Sequence, residues 1–138
     1  MRRALPSHVD LQISIGTHEF FPIGTVFVFD ANHIPFGCSV WPAFWTRGPN
    51  WPNGGEIDIL ETVNLMPTNQ MALHTLDGCT QPQGVQQSGT VKGANCAEGE
   101  NSRVGCAVLD SQDTSVGQKF ADAGGGVWAA QFDTTGIL

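Results

Sequence analysis

The sequence predicts an all-β sandwich or barrel built from short antiparallel strands. Glycine and proline are frequent, with 17 and 8 occurrences in 138 residues, and they divide the chain into short apolar segments. Charged residues make up only 14% of the chain, well below the roughly 25% of an average soluble protein. Helical periodicity is nearly absent and no repeat period is evident. Short strands between glycine- and proline-rich turns are typical of β-sandwiches and barrels.

Five segments have the composition or the alternation of strands. Residues 24–32 are rich in valine and phenylalanine and lie between two prolines. The apolar segment 40–45 suits an inner strand, although Pro42 indicates an irregularity or a sheet edge. The predicted strands are residues 24–32, 40–45, 56–63, 70–76 and 127–132.

The segments between these strands are predicted to be turns and loops. Asn53-Gly54 is a strong hairpin signal, and residues 133–136 have the composition of a second hairpin turn. Residues 78–105 are polar and rich in glycine, which predicts a loop, and residues 115–123 suit a short helical turn. A strand returning from the second hairpin would begin at residues 137–138, where the sequence stops, so we expect a truncated domain.

Composition and charge exclude several classes of protein and partner. No apolar run reaches the about 20 residues that span a membrane. The chain has 6 basic and 13 acidic residues, a net charge of −7 that repels phosphate backbones. We therefore expect neither nucleic acid nor a membrane as partner, and a neutral ligand fits better. Arg2 and Arg3 are followed by no apolar segment, so no signal peptide is predicted.

The cysteines predict a disulfide rather than a zinc site. Four cysteines and four histidines lie far apart, without any CxxC pair, so zinc-ligand spacing is absent. Cys79, Cys96 and Cys106 lie in or beside the predicted loop, where a bridge would restrain the chain. We expect one disulfide among these three, its pairing left open, and hence an oxidising compartment. Buried free thiols are the alternative, and Cys38 is assigned no partner.

The residues best suited to catalysis lie in one predicted strand. Side chains alternate along a strand, so Glu56 and Asp58 share a face, whereas regular alternation would put Glu61 on the other face. Leu60 beside Ile59 breaks the alternation of apolar residues. A β-bulge at Ile59/Leu60 would return Glu61 to the face of Glu56 and Asp58.

Three carboxylates on one face suit acid–base chemistry. On a curved strand two glutamate carboxylates could approach to about 5–5.5 Å, the separation found in retaining glycosidases. Crowding raises at least one carboxyl pKa, so one group can donate a proton while another acts as nucleophile. The alternatives are a solvated acidic strand and a calcium site, although calcium usually takes its ligands from a loop of closely spaced acidic residues.

Aromatic residues near this strand indicate a carbohydrate ligand. Trp41, Trp45 and Trp51 lie just upstream, and indole faces stack on the apolar faces of pyranose rings. Trp51 is the first candidate and Trp45 the second, with ordinary core positions as the alternative. His74, in the next predicted strand, could hydrogen-bond a carboxylate or a sugar hydroxyl, or be structural.

Together these residues resemble glycoside hydrolase family 16, whose signature is Glu-x-Asp-x-x-Glu. Residues 40–64 and 69–75 are similar to fungal endo-1,3(4)-β-glucanases of the laminarinase type. Shorter pieces at residues 78–80, 95–96, 105–106 and 124–128 match as well, so that the likeness runs from about residue 13 to the end.

This resemblance implies a concanavalin A-like jelly-roll sandwich of antiparallel strands and retaining hydrolysis of β-1,3 or mixed β-1,3/1,4-glucan. It implies that Glu56 is the nucleophile, Glu61 the general acid/base, and Asp58 the carboxylate that tunes and orients Glu56. Trp45, Trp51 and His74 match positions that line the sugar cleft, and we include Trp41 among the substrate-binding residues. We expect a secreted monomer whose partner is β-glucan, without cofactor or metal.

The sequence is shorter than the domains of this family. We therefore expect an N-terminal segment at residues 1–12 and a partial catalytic domain at residues 13–138, incomplete on its C-terminal side. Unpaired strand edges and exposed apolar faces are expected, and the isolated chain is predicted to fold poorly and to be weakly active or inactive. A non-catalytic glucan-binding jelly roll is the alternative, as is an inactive fragment.

Overall fold

The computed structural model describes residues 12–99 and 104–138, which form two antiparallel β-sheets and one short helix. The strands, in chain order, are β1 (Thr25–Ala31), β2 (Ala43–Arg47), β3 (Glu56–Glu61), β4 (Gln70–His74), β5 (Thr90–Gly93), β6 (Cys106–Leu109), β7 (Gly126–Asp133) and β8 (Gly136–Ile137). The helix α1 spans Gly117–Asp122. One sheet has the order β1-β7-β8 and the other the order β2-β3-β4-β6-β5. The predicted antiparallel jelly-roll sandwich is confirmed.

The core lies between the two sheets and follows from the alternation of side chains. In β1 the residues at odd positions are half-buried and those between them exposed, so Phe27 and Phe29 face inward. In β7, Trp128 and Ala130 are buried against the same layer. From the other sheet, β3 contributes buried residues to this cluster. The sheets therefore pack through their apolar faces, which leaves the opposite face of the five-stranded sheet free for a site.

The helix closes one end of this core. Phe120 of α1 is buried, and its ring centroid lies 4.9 Å from that of Trp128. The short helical turn predicted at residues 115–123 is thus confirmed. Packing of its apolar side chain against the core stabilises a helix that would be too short to form alone.

Most predicted strands are confirmed, and two were missed. The strand predicted at residues 40–45 begins at Ala43 instead, because Pro42 lacks the N–H that a strand interior requires. Residues 78–105 were predicted to be a loop, but they contain β5, and β6 follows them directly. β5 is a four-residue edge strand with three exposed residues, so it lacks the alternation that marks a half-buried strand.

Both predicted hairpins are present. β2 and β3 are antiparallel and joined by a loop in which the Gly48 N–H donates to the Gly55 carbonyl over 2.9 Å. The loop is longer than a two-residue turn. Within it the Gly54 N–H donates to the Asn50 carbonyl over 2.8 Å, and the Gly55 N–H donates to the Pro52 carbonyl over 2.9 Å. Between β7 and β8, the Thr135 N–H donates to Asp133 Oδ1 over 2.7 Å and closes the second turn.

The predicted β-bulge occurs in β3. Phe44 and Trp45 are consecutive in β2, but they pair with Leu60 and Asp58, so Ile59 has no opposite residue. Ile59 and Leu60 are nevertheless both buried in the core. The extra residue therefore lets two consecutive apolar side chains point inward and turns the next residue, Glu61, outward.

Asn69 satisfies the backbone groups that the bulge leaves unpaired. Its side-chain amide donates to the Ile59 carbonyl over 3.0 Å and accepts from the Glu61 N–H over 2.9 Å. The Asn69 N–H in turn donates to Ser115 Oγ over 2.9 Å. Asn69 is fully buried, so without its side chain the Ile59 carbonyl and the Glu61 N–H would be buried without hydrogen bonds, which would destabilise the fold.

One disulfide joins Cys96 to Cys106. The prediction of a single bridge among Cys79, Cys96 and Cys106 is thus confirmed, with Cys79 and Cys38 as free thiols. The bridge fixes the segment before residue 99 to β6, and this segment also bonds to the end of β4. The Thr75 N–H donates to the Cys96 carbonyl over 2.8 Å.

The outer face of the three-stranded sheet exposes apolar side chains, as expected from the sequence. Val26, Val28 and Val127 have 55%, 63% and 60% of their surface exposed. Residues 1–11 of the predicted N-terminal segment lie outside the described residues. In the described part of the chain, the only helix is far too short and polar to cross a membrane.

The role of Asn69 is testable through stability. Asn69→Ala leaves a buried carbonyl and a buried N–H without partners, at about 1–3 kcal/mol each. We expect the free energy of unfolding, measured by urea denaturation, to fall by about 2–4 kcal/mol. Asn53→Ala, at an exposed asparagine, is the control and should change it by less than about 0.5 kcal/mol. Equal losses in both variants would contradict this role.

Candidate active site

The predicted carboxylates do lie together, on the face of the five-stranded sheet that points away from the core. Glu56 of β3 pairs directly with His74 of β4, so their side chains share a face. Asp58 pairs with Trp45 of β2 on the same face, and Glu61 is returned to it by the bulge. Asp58 is 2% exposed and His74 9%, whereas Glu56 and Glu61 are half-buried. The site is thus built around two buried groups with a glutamate on either side.

His74 is held between two carboxylates. Its Nε2 lies 3.0 Å from Asp58 Oδ2, an ion-pair distance at which the N–H is not aligned for a regular hydrogen bond. Its Nδ1 contacts Glu98 Oε1. The contact with Asp58 raises the pKa of His74 to about 9, burial opposes this, and Glu98 adds to it. His74 is therefore an imidazolium at neutral pH.

Glu98 was not found by sequence reasoning. It lies in the loop predicted at residues 78–105, and no spacing relates it to His74. Knowledge that Cys96 pairs with Cys106 would have indicated Glu98, because Cys96 lies two residues away and the bridge fixes this segment beside β4. The Glu98 N–H donates to the Thr75 carbonyl over 2.9 Å, which places its side chain next to the imidazole.

Gly105 also constrains the imidazole. Its backbone has φ +63°, and a Cβ at this position would lie 2.9 Å from His74 Nδ1 and 2.5 Å from the Leu73 carbonyl oxygen. Both contacts are closer than real side chains allow, so a larger residue would displace the ring. Close packing on one side and two carboxylates on the ring nitrogens together fix the orientation of His74.

Both glutamates hold protons more strongly than ordinary carboxyl groups. Burial is the main cause that raises the pKa of Glu56, and the charge of Asp58 adds to it. The charge of His74 and a hydrogen bond from Trp51 oppose this rise. Burial also raises the pKa of Glu61. A proton can therefore reside on one glutamate while the other is ionised.

The three predicted tryptophans all reach this face or its rim. The Trp41 indole N–H donates to Glu61 Oε1 over 2.8 Å, and the ring is 67% exposed. Trp51 contacts Glu56 and is 49% exposed. Trp45 is half-buried opposite Asp58, with the Arg47 guanidinium 5.6 Å from its ring centroid. Trp41 and Trp51 are thus not core residues, and their role in sugar binding stays a prediction.

Two half-buried glutamates of raised pKa on one sheet face, with exposed indoles beside them on an antiparallel sandwich, are the arrangement expected of glycosidases of the β-sandwich type. The family follows from sequence. A family-level sequence model described as "XgeA-like, catalytic GH16 domain" matches residues 10–138. The chain therefore belongs to glycoside hydrolase family 16, as its motif suggested.

Curated relatives agree with this family. The chain is 42% identical to a probable glycosidase of Schizosaccharomyces pombe over 129 residues, which are 91% of this chain and 30% of that protein. It is 40% identical to the endo-1,3(4)-beta-glucanase xgeA of Emericella nidulans, over 87% of this chain and 19% of that protein. The chain thus spans less than a third of the length of these relatives.

Solved structures agree as well. A structure of laminarinase 16A from Phanerochaete chrysosporium, described with two beta-glucans in its donor and acceptor sites, has a TM-score of 0.76 and 38% identity. The match covers 80% of this chain and 38% of that one. An elongating family 16 beta-1,3-glucosyltransferase has a TM-score of 0.73 and 39% identity, over 83% of this chain and 38% of its own.

The raised pKa of His74 predicts how stability depends on pH. The unfolded imidazole titrates near 6.5 and the folded one near 9, so the folded state binds the extra proton between these values. Its stabilisation is fully present below about pH 6.5 and is lost as pH rises to about 9, with a slope of at most about 1.4 kcal/mol per pH unit.

We expect urea denaturation between pH 6 and pH 9.5 to show this fall, and His74→Gln to flatten it. His33→Gln, which removes an exposed imidazole, controls for the loss of a histidine as such. An NMR titration of the His74 ring protons gives the folded pKa directly. A parent profile that His74→Gln leaves unchanged would refute the assignment.

Proposed function

We propose that the chain carries the catalytic strand of an endo-acting glycosidase that hydrolyses β-1,3 or mixed β-1,3/1,4-glucan with retention of configuration. The observation that carries the proposal is the bulge in β3, which puts Glu56, Asp58 and Glu61 on one face. On this face burial raises the pKa of both glutamates. The printed names of the relatives, endo-1,3(4)-beta-glucanase and laminarinase, support the choice of substrate.

In the proposed reaction Glu56 is the nucleophile and Glu61 the general acid/base. The Glu56 carboxylate attacks the anomeric carbon while Glu61 gives its proton to the glycosidic oxygen, and the glycosidic bond breaks. The resulting Glu61 carboxylate then takes a proton from water, which attacks the glycosyl ester and releases Glu56. Burial of Glu61 favours the protonated form that the first step needs.

Asp58 and His74 prepare Glu56 for this reaction. We assign to Asp58 the positioning of Glu56. Asp58 also raises the pKa of Glu56 through its charge and by accepting a hydrogen bond from the protonated Glu56 carboxyl. The His74 imidazolium has the opposite effect, because its charge favours ionised Glu56. We propose that His74 thereby favours the carboxylate form of Glu56. We also propose that His74 forms a hydrogen bond with a sugar hydroxyl.

Substrate binding is assigned to the indoles. Trp41 and Trp51 offer exposed rings at the two glutamates, and Trp45 lies between them opposite Asp58. These faces suit glucosyl units, which are uncharged and have apolar ring faces, in agreement with the low charge content of the chain. We further propose that the protein acts outside the cell as a monomer, with β-glucan as its partner. The disulfide supports an oxidising compartment.

The first test is the release of reducing ends from laminarin and mixed-linkage glucan by the purified 138-residue chain. We expect Glu56→Gln to lower the rate by more than about 10³-fold and Glu61→Gln by about 10²–10⁴-fold. Glu19→Gln, at an exposed glutamate, is the matched control and should keep the parent rate. Product analysis separates hydrolysis from the glucosyl transfer that is named for one matched structure.

The roles are separated by azide rescue on an aryl glucoside substrate. In Glu56→Ala, azide should attack in place of the missing nucleophile and give the α-glycosyl azide. In Glu61→Ala, azide should intercept the glycosyl ester and give the β-glycosyl azide. Laminarin binding without hydrolysis, by the parent chain and by a C-terminally extended chain alike, would instead favour the non-catalytic glucan-binding module. Hydrolysis by the extended chain alone would identify the 138-residue chain as an inactive fragment.

The two indole hydrogen bonds predict opposite limbs of the pH–rate profile. Trp41→Phe removes a donor that lowers the pKa of Glu61, so this pKa rises further and activity should extend to higher pH. Trp51→Phe removes a donor that lowers the pKa of Glu56, so more base is needed to ionise the nucleophile and the acidic limb should move upward. Each variant serves as the control for the other, and a shift of the same limb in both would contradict the assigned roles.

A further inference from the structure

Three potential metal ligands converge in this site. Glu56, Asp58 and His74 each offer one donor atom, and these atoms all lie within 4.8 Å of one another. The closest measured pair, His74 Nε2 and Asp58 Oδ2, is 3.0 Å apart. Ligands of tetrahedral zinc, at bond lengths near 2.1 Å, are separated by about 3.4 Å. A small opening of this pair and a rotation of the half-exposed Glu56 side chain would bring the three donors to that geometry.

Asp58 gives an independent indication of a ligand. Its side chain is only 1% exposed, and its Oδ2 has no aligned hydrogen-bond donor. Among the described residues, the one cation known to face this buried oxygen is the His74 imidazolium at 3.0 Å, and its N–H is not aligned to donate. The Asp58 carboxylate offers an oxygen within 4.8 Å of a donor atom of Glu56 and of His74. A cation there would satisfy it.

Glu98 completes a pattern that is typical of metal-binding histidines. Such a histidine donates its second ring N–H to a carboxylate, which fixes the ring and increases the basicity of the ligating nitrogen. Here Nδ1 contacts Glu98, and Nε2 is the nitrogen that faces Asp58. The orientation of the imidazole is therefore already the one that binding through Nε2 needs.

We propose that Glu56, Asp58 and His74 form a binding site for one divalent transition-metal ion of the zinc type. One imidazole and two carboxylates favour zinc over magnesium and calcium, which prefer oxygen alone. The ion replaces the Nε2 proton of His74, and solvent completes its coordination on the exposed side of Glu56. An ion at this position occupies the proposed nucleophile, so it acts as an inhibitor and not as a cofactor; this consequence alone rests on the proposed function.

The test measures metal binding and does not depend on glucan hydrolysis. The metal-free 138-residue chain is titrated with Co²⁺, a coloured substitute for Zn²⁺, and then with Zn²⁺ and Mg²⁺ as competitors. We expect one Co²⁺ per chain with the visible absorption of tetrahedral or five-coordinate cobalt, displaced by Zn²⁺ and unaffected by equimolar Mg²⁺. NMR should show the His74 ring resonances, but not those of His33, change on Zn²⁺ addition.

Variants identify the ligands. Asp58→Asn and His74→Gln should each weaken Zn²⁺ binding by more than tenfold, and Glu98→Gln by about 10–100-fold through the orientation of His74. Glu61→Gln is the control for the loss of one negative charge near the ion, since it removes a carboxylate on the same face that is not part of the cluster. Circular dichroism of each variant establishes that it is folded before it is compared.

Four results would overturn the proposal. The first three are no binding at millimolar Zn²⁺, binding that leaves the His74 resonances of the parent chain unchanged, and an equal loss of affinity in Glu61→Gln. The near-ultraviolet charge-transfer band of a Co²⁺–thiolate bond would show that Cys38 or Cys79 is the ligand and would also refute it. The spectroscopic results need only the parent chain, so they decide the question even where a variant does not fold.

Discussion

The geometry of the site depends on the side-chain amide of Asn69. The bulge in β3 leaves the Ile59 carbonyl and the Glu61 N–H without strand partners in a buried place, and the amide bonds to both. It replaces a missing strand neighbour with one donor and one acceptor. Without the bulge, Glu61 would point toward the apolar layer and Leu60 toward solvent, so a residue remote from any ligand determines which face carries the second glutamate.

The electrostatics of the site come from several parts of the chain. Its carboxylates lie within six residues of β3, but the groups that modify them arrive from elsewhere: Trp41 before β2, Trp51 in the following loop, His74 at the end of β4 and Glu98 near the disulfide. A strand with this motif alone would be an acidic surface. The packing of the sheet converts it into a set of groups with different proton affinities.

Sequence reasoning was reliable where the information is local. The pair Ile59-Leu60 predicted the bulge, composition and the surrounding turn residues identified β1, β3, β4 and β7, and the clustering of cysteines predicted one bridge. It did not find Asn69 or Glu98, because their partners are distant in sequence and neither residue belongs to a periodic pattern. It missed β5 and β6 for a related reason, since an exposed edge strand and its short neighbour are defined by pairing rather than by composition.

The raised proton affinity of the two glutamates has a thermodynamic counterpart. In the unfolded chain Glu56 and Glu61 titrate as ordinary carboxyl groups, and in the folded chain burial disfavours their charged forms. Folding is therefore favoured by protonation of these groups, and that contribution disappears as pH rises through their folded pKa values. At neutral pH the ionised glutamates oppose folding, and the apolar layer on the other side of β3 offsets them. A single strand thus contains both part of the core that supports the fold and a source of its instability, which is the trade-off between activity and stability on the scale of six residues.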